Sequence, residues 1–90
     1  MTRRMPKVEI YTKHVCPYCT RAKALLRKKG VAFEEIDVED DEAKRVWLVE
    51  ATGQRTVPQI FVDGRSLGGF SDIDALDEEG KLEPILRGAA

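Results

Sequence analysis

The sequence has little of what marks several common classes of protein. Its 90 residues contain no apolar run approaching the ~20 residues that cross a bilayer, and its basic start lacks the apolar stretch of a secretory signal. The formal net charge is −1, which gives no overall attraction to nucleic acid or to an acidic membrane surface. These observations predict a cytoplasmic protein that binds neither nucleic acid nor membranes.

Cysteine is also scarce, since the chain has two, Cys16 and Cys19. A bridge across two intervening residues barely constrains the unfolded chain, so a purely structural disulfide here would contribute little stability. A structural zinc site needs about four ligands, and His14, which is expected to be exposed, is the one further candidate nearby. No metal is therefore expected, and the pair is interpreted as chemically reactive.

The length and an ordinary composition predict one domain over residues 1–90, with a flexible tail at residues 1–6. Alternating and helical apolar patterns predict the element order β-α-β-α-β-β-α. The predicted strands are residues 7–12, 31–38, 59–62 and 65–68. The predicted helices run from Cys16 to Gly30, from Asp40 or Asp41 to about Thr52, and onward from Ser71 or Asp72.

The connections between these elements predict how the strands pair. A strand, a helix and a second strand at this spacing form a βαβ unit, so the first two strands should be parallel. Asp63 and Gly64 are typical of a two-residue hairpin turn, and Gly80 and Pro84 are expected to break the last helical region. The fold class is therefore α/β, a four-stranded mixed sheet flanked by helices.

The first cysteine stands at the junction of a strand and a helix. If Pro17 takes the first helical position, Cys16 becomes the N-cap, and its sulfur faces unpaired N–H groups and the positive end of the helix dipole. Lys13 adds a nearby cation. Both features favour the thiolate, and Cys19 in the first turn is expected to be better covered, so Cys16 attacks and Cys19 resolves.

A continuous apolar run lies on the second predicted helix. Leu48 and Val49 are expected in the core, which leaves Val46 or Trp47 exposed. An exposed tryptophan would suit a contact with a partner, and a non-enzymatic adaptor role would depend on it alone.

Three segments together resemble the dithiol glutaredoxins, a branch of the thioredoxin fold: residues 11–19 (YTKHVCPYC), 56–61 (TVPQIF) and 68–72 (GGFSD). The resemblance runs from about Val8 to Leu86. It implies a monomeric, thioredoxin-like enzyme that uses glutathione as reducing cosubstrate. Such an enzyme reduces protein–glutathione mixed disulfides with Cys16 alone and protein disulfides with Cys16 and Cys19.

The resemblance also implies where glutathione binds. Pro58 should follow a cis peptide bond, which would leave the backbone of Val57 free to pair with the ligand's cysteine. The γ-glutamyl end should meet the start of a helix and Asp72, and the glycyl carboxylate should meet the cations at the other end. The implied glutathione-binding residues are Lys13, Tyr18, Gln54, Arg55, Thr56, Val57, Pro58, Gly69, Phe70, Ser71 and Asp72.

Each of these segments has a plainer interpretation. Residues 56–58 also suit an ordinary strand entry, and Ser71 and Asp72 also suit helix capping. A related redoxin reduced by thioredoxin reductase is an alternative, although redoxins of that kind lack the acidic end of the third segment. A dimer holding an iron–sulfur cluster through Cys16 and glutathione is another, and Pro17 argues against it.

Overall fold

The computed structural model describes residues 5–88, which form one mixed sheet with helices on both faces. The strands are β1 (Val8–Thr12), β2 (Glu34–Asp37), β3 (Gln59–Val62) and β4 (Arg65–Gly68). The helices are α1 (Pro17–Lys28), α2 (Glu42–Thr52), α3 (Phe70–Glu78) and α4 (Leu82–Leu86). Of the tail predicted over residues 1–6, the part at residues 1–4 lies outside the described residues. No helix within residues 5–88 is long and apolar enough to span a bilayer.

The sheet has the strand order β2-β1-β3-β4, so β1 and β3 are central. β1 is parallel to β2 and antiparallel to β3, and β3 is antiparallel to β4. The hairpin between β3 and β4 turns at Asp63 (φ 50°) and Gly64 (φ 81°), both with the positive φ that a type I′ turn requires. The predicted parallel unit, the hairpin and the mixed sheet are confirmed.

Side-chain alternation in the central strands divides the core between the two faces of the sheet. On one face, Val8 and Ile10 pack with Leu26 of α1 and with residues of α3 and α4. On the other face, Tyr11 and Phe61 pack beneath α2. Every residue of β3 is buried because this strand has a neighbour at each edge and helices on each face.

The boundaries of the first two helices follow local sequence signals. Cys16 precedes α1, with Pro17 at its start. The Oδ1 atom of Asp41 accepts a hydrogen bond from the N–H of Lys44 at 3.0 Å and caps α2, which ends at Gly53 in the left-handed conformation (φ 72°). These predicted boundaries are confirmed.

The prediction for the start of the third helix is wrong in position. The N-cap is Gly69, and Ser71 and Asp72 lie inside α3. Asp72 still caps, because from the third helical position its Oδ2 accepts a hydrogen bond from the N–H of Gly69 at 2.8 Å. A carboxylate can satisfy the first N–H groups from either side of the boundary, so the residue type alone does not fix where the helix begins.

Two further boundaries differ from prediction. Gly80 (φ 73°) separates α3 from α4, but Pro84 lies within the first turn of α4. A backbone N–H in that turn would have no intrahelical acceptor, so proline costs the helix no hydrogen bond there. The second strand is shorter than residues 31–38, because β2 is an edge strand that pairs with β1 only over Glu34–Asp37. Val31 and Val38 are buried outside the strand.

The apolar run on α2 lies partly at the surface. Leu48 is buried as predicted and Val49 is partly buried, whereas both Val46 and Trp47 are exposed. The indole of Trp47 is nevertheless packed against the sheet, with ring centroids 5.6 Å from those of Tyr11 and Phe61. This packing gives Trp47 a structural role, and a partner contact there stays a prediction.

Candidate active site

The two cysteines lie at the first turn of α1. The Sγ atom of Cys16 accepts a hydrogen bond from the N–H of Cys19 at 3.1 Å, and the Cys16 carbonyl accepts the first helical bond from Thr20. Cys16 is therefore the N-cap, as predicted, with its sulfur at the positive end of the helix dipole. Cys16 and Cys19 are joined as a disulfide, the oxidised form of a dithiol pair.

Exposure distinguishes the two sulfurs. Cys19 is 2% exposed, whereas Cys16 is partly exposed. Thiol–disulfide exchange requires that the attacking sulfur reach its target, so a substrate can approach Cys16 but not Cys19. The predicted difference in coverage is confirmed.

The segment before β3 reaches the same place from across the sheet. The peptide bond between Val57 and Pro58 is cis, as the resemblance implies, and the carbonyl oxygen of Val57 lies 3.8 Å from Sγ of Cys16. Within residues 5–88 the N–H of Val57 forms no hydrogen bond. An extended ligand can therefore pair with the backbone of Val57 as an added strand, with its sulfur beside Cys16.

Two cavities are both lined by Val57, and we call them together the groove. The first, of about 490 Å³, reaches α3; the second, of about 520 Å³, reaches α2. Both volumes lie in the range of about 300–1,000 Å³ that is typical of small-ligand sites. The predicted ligand residues lining the first are Tyr18, Gln54, Thr56, Val57, Pro58, Gly69, Phe70, Ser71 and Asp72. The second shares Gln54, Thr56 and Val57 with the first and adds Lys13 and Arg55.

The α3 end of the groove has the chemistry to hold a charged amino-acid group. A helix begins there, so the N–H groups of Phe70 and Ser71 have no intrahelical acceptors, and the carboxylate of Asp72 lies beside them. A Cβ atom at Gly69 would lie 3.3 Å from the carbonyl oxygen of Pro58, so glycine permits this close approach. Donors for a carboxylate and an acceptor for an ammonium thus occur together.

An aromatic wall stands next to this end. Tyr18 is 57% exposed, and its ring centroid lies 6.2 Å from that of Phe70. Arg21, which the sequence did not single out, stacks its guanidinium 5.3 Å from the centre of the Tyr18 ring. The wall gives an apolar side to a groove whose two ends are polar.

One further residue and one contact were not predicted from the sequence. Gln59 is fully buried, and its side-chain amide donates hydrogen bonds to the loop that lines both cavities. Its signal was present, because it is the one amide in the apolar run of a central strand. His14 is exposed as predicted, but its Nε2 atom lies 2.8 Å from Oδ2 of Asp37 at the end of β2. No local signal could reveal that pair.

Comparison with known proteins places the chain among similar sequences and structures. The family model described as Glutaredoxin matches residues 8–67. Glutaredoxin 3 of Escherichia coli K12 is 52% identical over 83 residues, which are 92% of this chain and 100% of that protein. A Brucella melitensis glutaredoxin structure has a TM-score of 0.86 and 45% identity, covering 96% of this chain and 94% of that one. A buckwheat glutaredoxin–glutathione complex has a TM-score of 0.87 and 31% identity, covering 93% and 79%.

Proposed function

The chain belongs to the glutaredoxin family and is a glutathione-dependent thiol–disulfide oxidoreductase, and we propose that Cys16 is the sulfur through which all of its reactions pass. The observation that carries the proposal is the position of Cys16. Its sulfur caps a helix, stays accessible and lies 3.8 Å from a carbonyl of the groove. Cys19 does not meet these conditions, because it is buried.

The first reaction is the reduction of a protein–glutathione mixed disulfide. The Cys16 thiolate attacks the glutathione sulfur, the protein leaves as a thiolate that takes up a proton, and a Cys16–glutathione disulfide forms. A second glutathione thiolate then attacks the bound glutathione sulfur. Glutathione disulfide leaves and the Cys16 thiolate is restored. Overall, one free glutathione is consumed and the glutathionyl group of the substrate becomes the other half of glutathione disulfide, so the protein sulfur ends as a thiol and Cys19 takes no part.

The second reaction is the reduction of a protein disulfide. The Cys16 thiolate attacks one sulfur of the substrate, which releases the other as a thiolate. Cys19, as the thiolate, then attacks the sulfur of Cys16 and releases the second substrate sulfur, which leaves the Cys16–Cys19 disulfide seen in the structure. Two glutathione molecules return this disulfide to the dithiol, and glutathione disulfide is the other product.

Glutathione is proposed to lie along the groove with its cysteine against Val57. Its γ-glutamyl carboxylate would accept hydrogen bonds from the N–H groups of Phe70 and Ser71, and its ammonium would pair with Asp72. Its glycyl carboxylate would lie at the end lined by Lys13, Gln54 and Arg55. Supporting this direction, Lys13 and Arg55 in the second cavity can meet a carboxylate, and Asp72 in the first can meet an ammonium.

The compartment and the partners follow from this chemistry. A dithiol that is recharged by glutathione suits a reducing cytoplasm, which we propose as its location. The proposed partners are glutathione and proteins that carry a glutathionyl group or a disulfide. We also propose that the protein acts as a monomer without a metal, because the groove and the attacking sulfur are built within one chain.

A comparison of two reducing systems tests the proposed function directly. With a glutathionylated peptide as substrate, we expect turnover with glutathione and glutathione reductase, and none with NADPH and thioredoxin reductase. The reason is that the groove offers groups for both charged ends of glutathione. The rate of NADPH oxidation measures both arms. Activity with thioredoxin reductase alone would overturn the assignment in favour of the alternative reductant.

Replacement of Asp72 tests the γ-glutamyl end of the groove. Asp72→Asn keeps an oxygen that can accept from the Gly69 N–H but removes the charge, so the fold should be retained while pairing with the ligand's ammonium is lost. We expect the KM for a glutathionylated peptide to rise about tenfold, with little change in kcat. Asp74→Asn makes the same charge change on α3 outside the groove and is the control. Equal KM values for Asp72→Asn and the unmodified protein would show that the ligand is misplaced.

A further inference from the structure

We propose that Gln59 is a positioning residue for glutathione, which holds the loop at residues 54–56 and turns the amide of Gln54 so that its N–H groups face the groove. The proposal rests on the proposed function, since it assigns a role at the glycyl end of the same site. Gln59 itself lies beneath the loop and lines neither cavity. Its effect on the ligand must therefore pass through the residues it holds.

The contacts of Gln59 all lead to this loop. Its Nε2 atom donates to Oε1 of Gln54 and to the carbonyl oxygen of Thr56, both at 3.0 Å. The backbone N–H of Gln54 is held separately by Oγ1 of Thr52 at 3.1 Å. Gln54 is thus fixed at its backbone by α2 and at its side chain by β3, although it is an exposed residue.

The orientation of both amides follows from donor and acceptor chemistry. The carbonyl of Thr56 can only accept, so the atom of Gln59 that faces it must be the nitrogen. That nitrogen has only N–H groups to offer, so the atom of Gln54 that meets it must be the oxygen. The two N–H groups of Gln54 are left free of this contact, and Gln54 lines the groove beside Lys13 and Arg55. Donors and cations together suit the glycyl carboxylate.

Burial shows that Gln59 does not serve the core. It is 0% exposed in a central strand, where its neighbours in sequence are apolar, and its Oε1 atom has no hydrogen-bond partner within residues 5–88. A buried acceptor without a partner is unfavourable, and an apolar side chain of similar shape would avoid that cost. What the amide contributes is its two bonds to the loop.

Gln59→Leu separates these two effects. The free energy of unfolding should be unchanged or higher, because the unpartnered oxygen disappears and the acceptors it leaves belong to exposed residues that water can reach. The KM for a glutathionylated peptide should rise about fivefold to tenfold, which lies in the range expected when one ordinary hydrogen bond is lost. The kcat and the measured pKa of the Cys16 thiol should not change, since α1 holds that sulfur. Gln59→Glu, which has no donor as a carboxylate and one as a carboxylic acid, cannot hold both oxygens and should also lose affinity.

A modified substrate identifies the end of the ligand involved. The substrate is the same glutathionylated peptide with the glycyl carboxylate of its glutathione esterified. The ester lacks the negative charge that Gln54 would meet. We expect the unmodified protein to bind this substrate more weakly, and Gln59→Leu to add little further loss, as read by chromatography of the released peptide thiol. Thr12→Val is the matched control: it removes the hydrogen bond of another buried side chain, from Thr12 to Glu35, neither of which lines the groove, and should leave the KM unchanged.

Each result supports or overturns the proposal. An unchanged KM in Gln59→Leu overturns it. So does a Gln59→Leu substitution that weakens binding of the ester as much as binding of the native substrate. A shifted pKa of the Cys16 thiol in Gln59→Leu also overturns it. If the unmodified protein fails to use glutathione at all, the proposed function falls by itself. The loop is then judged by the NMR signals of the Gln54 side-chain amide, which should move in Gln59→Leu and stay in place in Thr12→Val.

Discussion

Cys16→Ser should abolish the reduction of both glutathionylated proteins and protein disulfides. Both routes begin with attack by this sulfur, and a serine oxygen can neither form the mixed disulfide nor be held ionised at neutral pH by a helix start. The structure offers no replacement, because Cys19 is 2% exposed and is the one other cysteine of the chain. Turnover of a glutathionylated peptide in the presence of glutathione measures the loss.

The matched variant, Cys19→Ser, should divide the two activities. Reduction of the glutathionylated peptide should persist, because a second glutathione discharges the Cys16 adduct without Cys19. Reduction of a protein disulfide should be lost, because the intermolecular disulfide with Cys16 has no resolving thiol. Comparable losses from both variants on the glutathionylated peptide would show that the route through Cys16 alone is wrong. Thermal unfolding of each variant checks that the fold is retained.

Gly68→Ala should produce the largest loss of stability among the substitutions considered, together with a loss of glutathione affinity. Gly68 has a φ of +91°, where an L-residue costs roughly 1–2 kcal/mol. An added Cβ would also lie 2.7 Å from Cγ of Asp72, so the carboxylate must move. The move breaks its bond to Gly69 at the start of α3, which adds about 1 kcal/mol. We expect a total of about 2–3 kcal/mol in denaturant unfolding.

Gly64→Ala is the control for backbone strain alone. Gly64 also has a positive φ of 81°, but an added Cβ would meet nothing within 4 Å. It should therefore lose roughly 1–2 kcal/mol and keep its KM for a glutathionylated peptide. Gly68→Ala should raise that KM as Asp72→Asn does, because both remove the carboxylate from its place. Equal stability and equal KM in the two glycine variants would contradict the role given to the Gly68–Asp72 contact.

Much of the fold was predictable because its signals are local. The cap at Asp41, the stop at Gly53 and the turn at Asp63 and Gly64 each depend on a few neighbouring residues, and each lies where the sequence placed it. The exceptions were two helix boundaries at which the residue type is compatible with more than one helical position. Asp72 caps from inside α3 rather than before it, and Pro84 lies in the first turn of α4 rather than breaking a helix.

The candidate site was predictable to the extent that its parts lie in short segments. Cys16 and Pro17 specify a helix start with a sulfur at its cap, and the segments at residues 56–58 and 69–72 carried the resemblance to a family. The structure brings these segments to one groove. What the segments do not encode is how they hold one another in place.

The sequence by itself determined the element order and the helix cap at Cys16, because helix caps, turns and apolar periods act over a few residues, and three short motifs indicated the family. Only the tertiary structure decided that the Val57 carbonyl lies 3.8 Å from the Cys16 sulfur, that His14 pairs with Asp37 and that Gln59 reaches the loop at residues 54–56. The contacts to Val57 and to His14 join residues far apart in the chain, and the use of Gln59 depends on which face of a central strand lies beneath the loop. Burial and long-range contact depend on how the whole sheet packs, and no local pattern carries that information.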